Sequence, residues 1–325
     1  MSRKYPLSKE EMSLYLACTL NSGRNNAYLV GWSMELPVTG ENREDTKKRL
    51  SEATGKVFKK HRIFSARIGQ DEDGNLWKYD SGEDAVIEYV KTDRDDPAPE
   101  DYYENMDLNG GRLYRLLIVD APSAVWIFTI FHHIVMDGTT RQNMVRDYEE
   151  AFQGKEIGEA DLSPYEFAVS EREQEKSDLF ASDRSYFQEL LSGIENLPPE
   201  PDVFLKQESF SQFFYPFDRV DASKIGEKKA ASGVRTSTIF IGAAGYTLAL
   251  FSGLESSLVA SVTSGRTQKI QKSAGMFVRT VPILCRIGED RKVDEYLKDL
   301  DNQTTQGREH SLYTYLDMNL YQALV

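Results

Sequence analysis

The chain has 325 residues, 40% of them hydrophobic, and a formal net charge of -13 at pH 7. This length suits two ordinary domains or one large one, and the acidic balance disfavours nucleic acid binding, which requires a basic face. Its two cysteines, Cys18 and Cys285, do not resemble a disulfide framework or a cysteine-based zinc site, so we expect a reduced, cytoplasmic compartment.

Helical periods and strand-like runs alternate along the chain, which predicts a mixed α and β protein. Residues 9–20 are predicted to form a helix that begins with a capping box of Ser8 and Glu11. Residues 26–36 are predicted to form a strand. No apolar run approaches the about 20 residues that a membrane helix needs, so we expect no membrane span.

Residues 42–60 are predicted to form an amphipathic helix. Its apolar face consists of Leu50, Ala53, Val57 and Phe58. Residues 63–69 and 76–80 are predicted to be two strands around a turn. Residues 112–120 and 124–131 are predicted to be neighbouring strands, and the second is so apolar that we expect it to be central and covered on both faces.

A helix is predicted from Thr139, and residues 164–192 are predicted to be mostly helical. The segment NLPPEPD, residues 196–202, is the clearest linker. The predicted elements beyond it are strands at 210–217, 257–266 and 275–287 and helices near 221–230, 236–252 and 292–305. The chain ends in an apolar, helix-like pattern without a C-cap signal, which is more typical of a truncated chain.

The segment FHHIVMDGTT contains two of the four histidines. Successive side chains of a strand point to opposite faces, so His132 and His133 are not expected to share a metal ion, and no other spacing resembles a ligand set. Asp137 and Gly138 form a turn before the next predicted helix. One histidine facing a cleft there suits acid–base or hydrogen-bonding catalysis, although both could be satisfied core or rim residues.

HHIVMDG resembles the HHxxxDG motif of condensation domains in nonribosomal peptide synthetases, which belong to the chloramphenicol-acetyltransferase-like superfamily. Six further segments resemble the family's motifs in the family's order. They are YPLSKEEMSLYLACTL, KKHRIFSARI, MDLNGGRLYRLLI, SPYEFAVSE, VTSGR and GMFVRTVPI. Ordered matches along most of the chain identify it as resembling this family.

The resemblance implies an α/β (α+β sandwich) fold of two chloramphenicol-acetyltransferase-like lobes in a V, with a tunnel between them. We place the N-terminal lobe at residues 1–195, the linker at 196–202 and the C-terminal lobe at 203–325. Because condensation domains are longer, we expect the second lobe to be incomplete.

The activity implied by the resemblance is amide formation in the biosynthesis of secondary metabolites. The α-amine on an acceptor carrier attacks the thioester on a donor carrier. The implied partners are donor and acceptor peptidyl carrier proteins and an adjoining adenylation domain. The carriers supply the phosphopantetheine arms, and no bound cofactor or metal is expected.

The resemblance also assigns roles to residues. His133 is the catalytic histidine, as a general base or a positioning group, and we favour positioning with late proton acceptance. Asp137 braces the loop, Gly138 leaves room for substrate, and His132 packs and forms hydrogen bonds. The residues that match the family's tunnel segments are Tyr165, Ser264, Gly275, Phe277 and Arg279.

Two positions depart from the family pattern. Ser65 stands where the family usually has an arginine that pairs with the motif aspartate. Arg67 lies two residues further on, on the same strand face, so we predict that Arg67 pairs with Asp137. Arg279 replaces the asparagine of the GxFVNT-like segment, where it alters substrate selection, marks an atypical member or is simply a surface residue at a strand end.

Several alternatives remain open. One is a relative that joins an acyl group to a free amine or alcohol, although the DFGWG motif of the plant-type acyltransferases is missing. An epimerisation domain usually has Ser-Trp after the glycine, where this chain has Thr139 and Thr140, and heterocyclising relatives have aspartates in place of the histidines. A non-catalytic docking module is the remaining alternative. The intact His133, Asp137 and Gly138 argue against it, whereas Ser65, Arg279 and the short second lobe leave it open.

Carrier proteins usually present an acidic recognition surface, so docking on this acidic chain requires a local basic patch. Residues 47–49 and 56–62 are the candidates, on one predicted helix. The alternative is an ordinary solvated helix face.

Overall fold

The computed structural model describes residues 3–20, 27–192, 222–288 and 290–318. The predicted linker at 196–202 and the predicted strand at 210–217 lie outside these residues. The chain divides into two compact units. Unit 1 comprises Met1–Arg172 and Arg266–Phe277, and unit 2 comprises Glu173–Gly265 and Val278–Val325. This division differs from a single boundary at 196–202, because each unit contains two separate stretches of sequence.

The elements of unit 1 are β1 (Tyr5–Pro6), α1 (Lys9–Leu20), β2 (Leu29–Pro37), α2 (Arg43–Lys60), β3 (Ala66–Gln70), β4 (Leu76–Asp80), β5 (Ile87–Lys91), β6 (Tyr114–Asp120), β7 (Ala124–His132), α3 (Gly138–Phe152) and α4 (Ser163–Gln174), whose last two residues fall in unit 2. The strands form two sheets, with strand orders β2-β7-β6-β5 and β1-β4-β3. Strands β5 and β6 are parallel, and the other neighbours are antiparallel.

Strand β7 is central, as predicted. It lies between β2 and β6, and all of its residues except Trp126 are buried. The predicted apolar face of α2 is also confirmed, because its four residues are buried in the same core. The Phe58 ring lies 4.8 Å from the Tyr114 ring and 6.1 Å from the Phe131 ring, between centroids. Helix α2 therefore packs directly on the two middle strands.

The capping box at the start of α1 is confirmed. The Ser8 N–H donates to Glu11 Oε2 at 2.7 Å, and the Glu11 N–H donates to Ser8 Oγ at 3.3 Å. The Glu11 carboxylate also accepts from Lys78 Nζ at 2.6 and 2.7 Å, and both side chains are buried. The cap thus joins α1 to strand β4 through a buried ion pair.

Unit 2 contains an antiparallel pair of strands against which two helices pack. Its elements are α5 (Asp178–Leu190), α6 (Ala222–Ser232), α7 (Thr236–Ser252), β8 (Ser256–Ser264), β9 (Val278–Arg286) and α8 (Val293–Glu309). A Cβ at Gly245 of α7 would lie 2.2 Å from Cys285 Sγ, so glycine is required for this close approach. Among the described residues, no single helix is long and apolar enough to cross a membrane, although the bent pair Ser223–Ser232 and Thr236–Ser252 passes by length and composition.

Asp147 on α3 joins that helix to the end of α2. Its Oδ2 lies 2.8 Å from His61 Nε2, and its carboxylate also pairs with Lys60. Burial alone would raise the pKa of Asp147, but the two cationic or hydrogen-bonding partners outweigh burial and lower the pKa to about 2. The charged form of this carboxylate is therefore stabilised by folding.

We expect this contact to contribute to acid sensitivity. An unfolded aspartate has a pKa of about 3.9, so the stabilisation is complete above that pH and is lost as the pH falls towards 2. Of a total of about 3 kcal/mol, about 1 kcal/mol should be lost between pH 6 and pH 3. Urea unfolding at both pH values should show a smaller pH dependence for Asp147→Asn than for the native chain. Equal pH dependences would contradict this account.

Candidate functional site

The histidine motif lies where strand β7 ends and helix α3 begins. The strand ends at His132, residues His133–Val135 form a single 3-10 turn, and α3 starts at Gly138. His133 is therefore not the next residue of the strand, and the separation of the two histidines depends on the turn rather than on strand alternation.

His132 is held inside unit 1. Its side chain is buried, its Nδ1 accepts from the Ile134 N–H at 3.2 Å, and its Nε2 lies 3.6 Å from Cys18 Sγ. Because Nδ1 accepts a hydrogen bond, the single proton of the neutral ring is assigned to Nε2. Burial, with a smaller effect from His133, lowers the pKa of His132 to about 4. This environment agrees with the predicted packing and hydrogen-bonding role.

We expect His132 to stay neutral throughout the physiological range. Nitrogen NMR of histidine-labelled protein should show one ring with Nε2 protonated and no titration between pH 5.5 and 8.5, assigned to His132 by loss of the signal in His132→Asn. A ring assigned to His132 that titrates above pH 6 would contradict the structure.

His133 has a different environment. Its side chain is only partly buried, and its buried Nδ1 has no hydrogen-bond partner within the described part of the chain. The partly exposed imidazole therefore has hydrogen-bonding capacity that the described residues do not use. In residues 3–20, 27–192, 222–288 and 290–318, no three His, Cys, Asp or Glu side chains are grouped to hold a metal ion.

Asp137 caps α3, and both of its carboxylate oxygens accept hydrogen bonds. Its Oδ1 accepts from the Thr140 N–H at 2.7 Å and from Arg266 Nη2 at 2.8 Å, and its Oδ2 accepts from the Phe277 N–H at 3.1 Å. The side chains of Asp137 and Arg266 are 2% and 1% exposed. A buried carboxylate with these partners braces the turn, and the geometry favours the predicted bracing role over proton transfer.

The predicted pairing of Arg67 with Asp137 is wrong. Arg67 lies in β3, on the other sheet, where its Nη2 donates to Glu83 Oε2 at 2.7 Å and its Nη1 donates to the Ala66 carbonyl at 3.1 Å. The partner of Asp137 is Arg266, the arginine of the VTSGR segment. Because that segment matches a family motif, its arginine was the sequence feature from which the pairing with Asp137 could have been predicted.

Two further residues of α3 contact the segment Arg266–Phe277. The Thr140 hydroxyl contacts both the N–H and the carbonyl of Gly275, at 2.9 and 2.8 Å. Asn143 Nδ2 donates to the Gln271 carbonyl at 3.1 Å. Since Asp137 binds residue 277, Thr140 residue 275 and Asn143 residue 271, the segment runs antiparallel to the first two turns of α3.

Arg266 also forms hydrogen bonds within the segment Arg266–Phe277. Its Nη1 donates to the Ile270 carbonyl at 2.9 Å and to the Ser273 carbonyl at 2.6 Å. Its guanidinium lies 4.5 Å from the centroid of the Phe277 ring, a distance that suits a cation–π interaction. One buried arginine thus joins the two ends of the segment and the cap of α3.

Gly275 and Phe277 are the two predicted tunnel residues that lie beside the motif in unit 1. Gly275 has φ +150°, and a Cβ there would lie 2.8 Å from the Phe277 ring and 3.3 Å from Pro164. The Phe277 ring, itself buried, packs edge-on against Phe167 at 5.1 Å. Glycine at 275 therefore lets the segment pass close to α4.

The other predicted tunnel residues lie elsewhere. Tyr165 is wholly buried in the core of unit 1, where its hydroxyl contacts the Arg62 carbonyl at 3.2 Å and burial raises its pKa. A ring shielded in this way does not face open space in this structure. Ser264 and Arg279 belong to unit 2. Arg279 is only 4% exposed, so the surface-residue alternative for it is wrong.

The basic residues of α2 that were candidates for carrier docking are largely paired within the chain. The pairs are Lys47 with Glu44 and Asp120, Lys48 with Glu52, Lys56 with Glu156 and Lys60 with Asp147. These contacts favour an ordinary charged helix face over a basic patch.

Comparison with known proteins identifies the family. The family model described as "Condensation domain" matches residues 2–323. The chain is 24% identical over 328 residues to surfactin synthase subunit 2 of Bacillus subtilis (strain 168) and 22% identical over 335 residues to bacitracin synthase 2 of Bacillus licheniformis. Each alignment covers 97% of this chain but only 9% and 12% of the relative, so the chain spans about a tenth of these curated relatives.

Solved structures share the fold. The first condensation domain of the calcium-dependent antibiotic synthetase, in complex with a substrate analogue, has a TM-score of 0.73 at 17% identity, covering 98% of this chain and 78% of that chain. The condensation domain of the Monacolin K polyketide synthase also has a TM-score of 0.73 at 17% identity, covering 99% and 76%. Because the family model matches almost its whole length, this chain belongs to the condensation-domain family.

Proposed function

We propose that the chain catalyses amide formation between two substrates tethered to carrier proteins of a nonribosomal peptide synthetase. The nitrogen of the acceptor's α-amine attacks the carbonyl carbon of the donor thioester. A C–N bond forms, the C–S bond breaks, the nitrogen loses a proton, and the donor's phosphopantetheine thiol is released. The arms belong to the carriers and are substrates here, not bound cofactors.

The observation that carries this proposal is the contrast between the two histidines. His132 is buried, neutral and committed to Ile134 and Cys18. His133 is partly open and has an uncommitted ring nitrogen within the described residues. Because Asp137 and Arg266 brace the turn behind it, the ring that can meet a substrate is attached to a rigid support.

The reaction does not require His133 to act as a strong base. A free α-amine has a pKa of about 7.7–8.0, so much of it is deprotonated near neutral pH, and a thioester is already an activated acyl donor. His133 then orients the amine and accepts its proton late in the step. Such a group contributes about 10²- to 10⁴-fold to the rate.

Gly138 is suited to the carbonyl side of the reaction. It is exposed, it is the first residue of α3, and a Cβ there would contact nothing within 4 Å. The first N–H groups of a helix have no partner inside the helix and lie at its positive end. In our proposal the Gly138 N–H donates to the developing oxyanion, and the absent side chain leaves room for the donor.

Single-turnover condensation tests the proposal. An acyl-loaded donor carrier and an aminoacyl-loaded acceptor carrier are mixed with the chain, and the amide product is quantified by mass spectrometry. Product formed much faster than by spontaneous aminolysis without the chain supports it. The same assay with acceptor amines off their carriers distinguishes an acyltransferase that uses free amines. No acceleration with either acceptor would reject the proposal and favour a non-catalytic module.

A further inference from the structure

The hydroxyl oxygen of Thr140 lies within hydrogen-bond distance of four polar atoms of unit 1. Thr140 is fully buried. Its Oγ lies 2.9 Å from the Gly275 nitrogen, 2.8 Å from the Gly275 carbonyl oxygen, 2.9 Å from Arg266 Nη2 and 2.9 Å from Asp137 Oδ1. A hydroxyl has one proton and two lone pairs. It accepts from the Gly275 N–H and from Arg266 and donates to one of the two remaining oxygens, so its capacity is fully used.

Another buried threonine gives the comparison. Thr54 on α2 donates to the Leu50 carbonyl of its own helix at 2.8 Å and accepts from the Tyr148 hydroxyl at 3.3 Å. Its first bond is the local back-bond that threonines often make in helices. The Thr140 hydroxyl instead joins backbone groups 135 positions away in the sequence, so its contacts fix the segment and not only the helix.

We propose that Thr140 is a positioning residue whose hydroxyl fixes Gly275 against the first turn of α3 and thereby holds the turn that carries His133. The connection to His133 is short. The Met136 N–H donates to the His133 carbonyl at 3.2 Å, and Asp137 follows directly with its carboxylate on Thr140 and Arg266. Loss of the hydroxyl leaves the Gly275 N–H without its buried acceptor and removes the single donor for which the Gly275 carbonyl and Asp137 Oδ1 compete.

Gly275 is the complement of Thr140. Its φ of +150° and the contacts that a Cβ would make with Phe277 and Pro164 both favour glycine. Glycine has no side chain to restrict its backbone dihedral angles, so the conformation of Gly275 depends on contacts with other residues. The Thr140 hydroxyl accepts from the Gly275 N–H and lies within hydrogen-bond distance of the Gly275 carbonyl oxygen.

Amide hydrogen exchange tests the structural part without reference to activity. The variants are Thr140→Val, which keeps the shape and removes the hydroxyl, Thr140→Ser, which restores it, and Thr54→Val as the matched control. Exchange of the peptide covering residues 271–277 should be at least about tenfold faster in Thr140→Val, and close to native in Thr140→Ser and Thr54→Val. Native exchange in Thr140→Val, or equal acceleration in Thr54→Val, would overturn the proposal. Thr140→Ala replaces the valine variant if that variant does not fold.

Single-turnover rates test the link to His133, which rests on the proposed function. At saturating carriers the rate should fall at least about tenfold in Thr140→Val, with the half-saturating carrier concentration unchanged, and Thr140→Ser should recover it. Faster exchange with a native rate would overturn the positioning role. If the native chain itself forms no amide, the proposed function fails, and the exchange experiment still decides whether the hydroxyl fixes the segment.

Discussion

Replacing His133 by alanine should slow single-turnover amide formation by about 10²- to 10⁴-fold, the contribution typical of a positioned acid–base group. The unfolding midpoint should change little, because the ring is partly exposed and its Nδ1 has no partner within the described chain. The rate constant at saturating carriers is the quantity to measure, because saturation removes any effect of the substitution on carrier binding.

Glutamine at position 133 separates the two roles of the histidine. It can orient an amine by a hydrogen bond but cannot accept its proton, so a rate between native and His133→Ala supports positioning with late proton acceptance. His310→Ala is the matched control, because that imidazole pairs with Asp183 in unit 2, and it should retain the native rate. A native rate in His133→Ala would remove His133 from the mechanism.

Replacing Arg266 by methionine should lower the free energy of unfolding by about 3–5 kcal/mol, the cost of breaking a buried ion pair from one side. Methionine keeps the length of the side chain but leaves the Asp137 charge buried without its cation. The carbonyls of Ile270 and Ser273 lose their donor as well. Urea unfolding monitored by circular dichroism measures the effect, and a loss below about 1 kcal/mol would contradict the burial of this pair.

Further variants sharpen the measurement. Arg67→Met is the matched control, because its partner Glu83 is 48% exposed and can be rehydrated, so the loss should be about 1 kcal/mol or less. Adding Asp137→Asn to Arg266→Met removes the uncompensated charge while keeping a residue that caps helices well. The double variant should therefore lose less stability than the sum of the losses measured for Arg266→Met and for Asp137→Asn alone.

The features that the sequence predicts correctly depend on near neighbours in the chain. The capping box joins residues 8 and 11, and the apolar face of α2 repeats at helical spacing. The strong apolar run of β7 predicts its central place in the sheet. Each of these is a consequence of local geometry, which sequence periodicity records directly.

The errors concern contacts between distant segments and strands without a burial pattern. Asp137 and Arg266 are 129 positions apart, and spacing within either motif does not reveal which arginine reaches the carboxylate. Arg67 was predicted because it lies on the same strand face as Ser65. Its strand β3 belongs to the sheet β1-β4-β3, whereas the histidine motif follows β7 of the other sheet. Strand β5 is missing from the predicted elements, and its burial in the structure does not alternate, because Glu88 and Tyr89 are both exposed.

The segment Arg266–Phe277 has a consequence for fragments and chimeras. It is encoded between two strands of unit 2, yet it provides the arginine, the glycine and the backbone N–H that hold Asp137 and Thr140. A fragment that ends at residue 195 would carry the histidine motif without Arg266, the cation that pairs with Asp137. Exchange of C-terminal halves between relatives would likewise exchange the support of the motif, so compatibility at positions 137, 140, 266 and 275 decides whether a hybrid retains a braced histidine.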